Sequence, residues 1–143
     1  MSSLHSVIRV HRWQLDEKRR ALADLESLAE RLSLELRRLD EDVDRERAVV
    51  GNGSASGTDF ANYMKAVQMR REHLTESREQ VERQIAAASK EIAESYRDLK
   101  KYEIAQSDRD RNAQLRRNRR ETAILDEIAI TGHTRRAGGE SEG

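Results

Sequence analysis

Apolar residues recur at alternating steps of three and four through the first fifty positions of the chain. From Leu4 the series runs Ile8, His11, Leu15, Lys18, Leu22, Leu25, Ala29, Leu32, Leu36, Leu39, Val43, Glu46 and Val50, and eleven of these fourteen positions are apolar. A mean step of 3.5 residues draws one narrow stripe along a slightly underwound helix, which is the seam of a left-handed coiled coil. The rhythm breaks at Gly51-Asn52-Gly53-Ser54-Ala55-Ser56-Gly57. It resumes at Phe60 with Met64, Val67, Arg71, Leu74, Arg78, Val81, Ile85, Ala88, Ile92, Ser95, Leu99 and Tyr102, ten of thirteen apolar. Further on, the same steps fall on Gln106, Arg109, Ala113, Arg116 and Arg120, so the stripe fades at Tyr102 while helix formers continue to about Ile130.

This pattern predicts an all-α protein of two long helices in an antiparallel left-handed coiled-coil hairpin, the second helix longer than the first. The first helix covers residues 3–50, roughly 70 Å at 1.5 Å per residue. Residues 51–57 form a glycine-rich turn, since glycine reaches positive φ without steric penalty. The second helix covers 58–130, with Thr58 or Asp59 as its N-cap. Residues 131–143 are small, polar and glycine-rich, and are read as a disordered tail. A seven-residue turn sets residue i beside one near 108 − i, so Leu4 falls near Ile104. The first helix thus ends where the second loses its stripe. From about residue 105 the second helix overhangs by roughly 25 residues, or about 38 Å.

The overhang has its own character. Arg109, Arg111, Arg116, Arg117, Arg119 and Arg120 make it basic, and Ile124, Leu125, Ile128 and Ile130 then form an apolar cluster with no partner inside the hairpin. An exposed apolar patch at a tip marks an interaction site. Elsewhere the exposed faces offer opposite charges at four-residue spacing, Asp16 with Arg20, Arg31 with Glu35 and Glu41 with Arg45, each pair worth a few tenths of a kcal/mol.

Composition agrees with a rod. Of 143 residues 38% are charged and only 3% aromatic, and the 36% that are apolar cannot fill a compact core. Proline is absent, and one interior proline would cost a long helix roughly 3 kcal/mol. Without cysteine there is no disulfide framework and no thiolate chemistry. No 18-residue apolar run could span a membrane, and residues 1–10 lack the apolar stretch of a secretory signal. A cytoplasmic location is expected. Basic and acidic residues balance at 27 each, so no global field steers the chain toward nucleic acid or an anionic membrane.

Signals of catalysis are nearly absent. The glycine-rich segment lacks the Gly-Lys-Ser/Thr ending of a phosphate loop and reads as a turn. His5, His11, His73 and His133 never pair at metal-ligand spacing. Carboxylates on a rod point into solvent, where nothing desolvates two together for acid–base work. No catalytic residue, metal or cofactor is therefore assigned. Two seam positions are polar, His11 and Lys18. Either their long side chains snorkel out of the stripe, or this end is looser because it meets another protein. Trp13, beside the seam, either covers the flank near Tyr96 and Arg97 or anchors a partner. The run from Arg109 to Arg120 is a solvated face or a surface for an acidic protein. Nucleic acid is disfavoured, because aromatic stacking residues are missing and no clean zipper follows the basic run.

Several segments resemble the flagellar export protein FliJ family. Leu4-His5-Ser6-Val7-Ile8-Arg9-Val10-His11-Arg12, continued by Glu17 to Ala23, is similar to that family's opening Leu-x-x-Leu-Leu-x-x-Arg helix. The glycine-rich interruption is similar, and Phe60-Ala61-Asn62-Tyr63 resembles the start of the family's second helix. Leu125-Asp126-Glu127-Ile128-Ala129 resembles its closing Met/Leu-Asp-Glu-Phe/Ile-Ala motif. The resemblance implies a non-enzymatic stalk, similar to the central stalk of the rotary ATP synthase, at the cytoplasmic face of the inner-membrane type III export apparatus. Its terminal end would bind and stimulate the hexameric export ATPase. Its other implied partners are the cytoplasmic domain of the export gate and export-substrate chaperones. The terminal end here carries Arg9, Arg12, Arg116, Arg120, Ile124, Leu125, Asp126 and Ile128. The family's gate-binding region lies early in the second helix, where Arg70, His73 and Ser77 match no motif, so no gate residue is assigned. Two other readings are the stalk of a virulence type III secretion system and a generic coiled-coil scaffold that homodimerises through its seam.

Overall fold

The computed structural model describes residues 3–53 and 57–140. They form two helices, α1 (Ser3–Gly51) and α2 (Gly57–Glu140), packed against each other, with no strand among the described residues. Residues Val10–Arg97 make one compact unit, and the segments before Val10 and after Arg97 make a second.

The break between the helices follows from glycine chemistry. Asn52 N–H donates to the carbonyls of Ala48 and Val49 at 3.1 and 3.2 Å, and Gly53 N–H donates to that of Val50 at 3.0 Å, so three of the carbonyls at the end of α1 are satisfied. Gly53 adopts φ +76°, the left-handed conformation that closes a helix and that a side chain would strain. Ser54, Ala55 and Ser56 of the predicted turn lie outside the described residues. Gly57, Thr58 and Asp59 are already helical, so neither Thr58 nor Asp59 is the N-cap. Asp59 instead places a carboxylate in the first turn, where the helix dipole favours it.

The 3,4 series is where the chain withdraws from water. Among the described residues the buried ones are Ile8, Leu15, Val43, Val67, Leu74, Val81 and Leu99, and every one belongs to that series. In α1 they are spaced by multiples of seven, as are Val67, Leu74 and Val81 in α2, so one heptad position is the deeper of the two. A two-helix seam is too narrow for more: no large side chain among the described residues is fully enclosed.

Polar contacts join the helices within the Val10–Arg97 unit. Lys18 Nζ donates to Ser95 Oγ at 2.6 Å, Arg70 pairs with Glu35 at 3.2 Å, and Arg71 pairs with Asp40. The half-buried Lys18 therefore ends on a seam hydroxyl, where a polar group fixes register at a cost in stability. The four-residue ion pairs expected on α1 are not the ones formed. Asp16 pairs with Arg19 at 3.9 Å and Glu17 with Arg20 at 2.7 Å, while Arg45 turns to Asp42 and Glu35 crosses to Arg70. Three-residue spacing brings these side chains equally close on a helix surface.

Near the start of α2 the rings of Phe60 and Tyr63 lie 6.4 Å apart. The Tyr63 phenol is pushed above its ordinary value of 10.0, by burial first and then by the Glu46 and Asp42 carboxylates of α1, with Arg45 opposing. A raised phenol favours its neutral form in the fold. That contribution is intact below pH 10 and is lost as pH rises through the folded-state value. Tyr63→Phe is accordingly expected to lose less stability than the parent chain between about pH 9 and about pH 11. Urea melts at both pH values would show it, and parallel losses in the two proteins would refute it.

In the second unit the phase of the seam changes. Leu99 is buried, but Tyr102 is exposed, and Glu103 and Gln106 are half-buried in its place. The stripe therefore does not stop at Tyr102. From Ser95 it takes two successive steps of four, to Leu99 and Glu103, a local unwinding of the coiled-coil repeat. Glu103 suits a half-buried site because Lys100 Nζ donates to its carboxylate at 3.1 Å.

The helix also runs past its expected end at Ile130. Residues Thr131–Glu140 continue α2, and Thr134 Oγ1 donates to the Ile130 carbonyl at 2.9 Å. Gly132, Gly138 and Gly139 each weaken a helix by about 1 kcal/mol without forbidding it. Residues 141–143 of the predicted disordered tail lie outside the described residues.

Candidate functional site

From Ser107 to Gly139 every described residue is exposed except two small ones, Ala113 and Gly132. This stretch holds most of the residues that the sequence singled out. Its proximal half is basic, with six arginines between 109 and 120 against one carboxylate, Asp110. Local hydrogen bonds hold its surface, Gln106 donating to Asp110 at 2.8 Å, Arg111 to Asp108 at 2.7 Å and Gln114 to Asn118 at 3.0 Å.

The distal half carries the apolar cluster. Ile124, Leu125, Ile128 and Ile130 are all more than half exposed, so no core among the described residues takes them up. At 100° per residue, Ile124, Leu125 and Ile128 share one face of α2. Ile130 and Asp126 point to the other side, so Asp126 does not join the apolar face. A shallow depression on the shared face is lined by Ile124, Glu127, Ile128, Thr131, Gly132 and Arg135. The last three lie beyond the helix end that the sequence pattern predicts at Ile130. Their signal was present, since the three- and four-residue steps from Ile124 and Ile128 lead on to Thr131, Gly132 and Arg135.

The eight residues proposed from the sequence are thus divided. Arg116, Arg120, Ile124, Leu125, Asp126 and Ile128 lie on exposed α2 in one unit, which also includes the exposed Arg9 of α1. Arg12 belongs to the Val10–Arg97 unit. Trp13 in that unit is 64% exposed, so it does not bury itself on the flank as one reading expected. No cluster of His, Asp or Glu among the described residues could hold a metal ion. No helix among them is long and apolar enough to cross a membrane.

The description "Flagellar FliJ protein" belongs to the family whose profile matches residues 1–138 of the chain. Comparison with curated proteins and with solved structures gave no match.

Proposed function

Because the chain belongs to the flagellar FliJ protein family, it is a component of the flagellar export apparatus, and we propose that it works there as the stalk of the hexameric export ATPase. The observation that carries this reading is the exposed end of α2, a basic helix followed by an apolar face that no described residue buries. Such a face is exposed to water at a cost in free energy that a covering partner relieves. The arginines draw an acidic rim, and Ile124, Leu125 and Ile128 anchor in an apolar collar. The chain also links the ATPase to the cytoplasmic domain of the export gate and to substrate chaperones, acting at the cytoplasmic face of the membrane without catalysis of its own. The match to a flagellar family favours this role over that of a virulence-system stalk.

The stalk requires a hairpin. The cross-helix contacts Lys18–Ser95, Glu35–Arg70 and Asp40–Arg71 have residue numbers totalling 113, 105 and 111. A near-constant total is the signature of an antiparallel pair, and it supports an internal hairpin over a seam-driven homodimer. Cysteines placed at half-buried Leu22 and Ala88, whose total is 110, are expected to cross-link within one chain. Cross-linking only between chains would count against the hairpin.

The direct test of the stalk is titration of the full chain into the cognate export ATPase, with hydrolysis and co-sedimentation both followed. Saturable binding with faster hydrolysis is expected; neither would occur if the chain were a passive scaffold.

A further inference from the structure

We propose that the exposed end of α2 is self-complementary and pairs antiparallel with the same stretch of a second copy of this chain, centred on Ile128. The face that carries Ile128 continues in both directions by steps of three and four, to Ile124 and Glu121 on one side and to Gly132 and Arg135 on the other. Reversed about Ile128, the face matches itself. Ile128 meets the second copy's Ile128, Ile124 meets its Gly132, and Glu121 meets its Arg135. Each of these pairs occurs twice by two-fold symmetry, except the central one, so the interface is isologous and closed.

Shape and charge both favour this occupant. A side chain added at Gly132 would meet only the end of Arg136, at 4.0 Å, so the helix has a notch there, between Ile128 and Arg135 in the shared depression. A branched Ile124 from an antiparallel neighbour fits such a notch, as a knob opposite a small residue. No ion pair joins Glu121 or Arg135 to another described residue, so both charges are available at the two ends of the apolar face. A parallel neighbour would set Glu121 on Glu121 and Arg135 on Arg135, which repel. The apolar part spans about two helical turns and buries less than about 1,200 Å² in total, the size of a weak and transient contact. The pairing is therefore a concentration-dependent equilibrium. It covers Ile124, Leu125 and Ile128, so paired chains are unable to present the face assigned above to the ATPase. The pairing itself does not depend on that assignment, and it is measured without any ATPase.

Sedimentation equilibrium of the full chain should show a monomer–dimer equilibrium at high protein concentration. Glu121→Arg or Arg135→Glu alone should weaken dimerisation about tenfold, and the double exchange Glu121→Arg/Arg135→Glu should restore it. Helicity by circular dichroism should be the same in all three, since both side chains are exposed. The chain has no cysteine, so a single one reports cleanly. Ile128→Cys should oxidise to a disulfide-linked dimer much faster than Ile130→Cys, although the two parent residues are similarly exposed, at 62% and 67%. A chain that stays monomeric, a double exchange that fails to restore pairing, or equal oxidation at the two positions would each overturn the proposal.

Discussion

Deletion of residues 121–130 is expected to abolish both binding to the cognate hexameric export ATPase and its stimulation, while the melting of the Val10–Arg97 unit stays unchanged. The segment contains all of Ile124, Leu125 and Ile128, and its side chains contribute nothing to the buried seam, whose last member is Leu99. Its removal therefore separates function from stability. Truncating two buried anchors at an interface commonly removes about 3 kcal/mol or more, a loss of at least about a hundredfold in affinity. Ile124→Asp with Ile128→Asp should reproduce this loss without shortening the helix. Asp126→Asn is the internal control, because Asp126 lies away from the apolar face and should change affinity by less than about threefold. Arg116→Glu with Arg120→Glu should act differently, slowing association and flattening its salt dependence more than it speeds dissociation. Unchanged binding and stimulation after the deletion would remove the exposed end of α2 from the stalk's working surface.

The stripe up to Leu99 was legible from residue types because a two-helix seam depends on little else. Periodicity alone selects which side chains face the neighbouring helix, and each of the seven residues buried among the described ones sits on the 3,4 series. The phase change at Leu99 was not legible. Steps of three and four and two steps of four both fit a helix, and only packing decides between Tyr102 and Glu103. Polar cross-contacts were hidden for a related reason. The pairing of Lys18 with Ser95 depends on register, which neither residue encodes by itself. At the candidate site the exposed isoleucines and arginines were visible as a composition change. The notch at Gly132 was not, because glycines there suggested an ended helix, whereas α2 carries them through to Glu140. One glycine can be a helix stop in isolation and a notch in an extended helix, and tertiary context separates the two meanings.

Leu74→Ala is expected to lower stability strongly. Leu74 is 4% exposed and lies in the middle of the Val67, Leu74 and Val81 heptad, near Leu39 and the Glu35–Arg70 ion pair. Removing a buried leucine's outer carbons costs about 2–5 kcal/mol, the range reflecting how far the site relaxes. Here the seam has solvent on both flanks, so helix approach and water entry limit the cavity, and a cost of about 2–3 kcal/mol is expected. For a unit of this size that lowers Tm by on the order of 10 °C. Met69→Ala supplies the contrast. Met69 is five residues away on the same helix, but it is 71% exposed, and its truncation should cost less than about 0.5 kcal/mol. Both substitutions introduce alanine, the best helix former, so neither weakens α2 intrinsically. The difference between them therefore measures packing of α2 against α1. Equal melting temperatures for the two variants would mean that the 3,4 stripe is not what holds the helices together, and the hairpin on which the stalk is built would have to be abandoned.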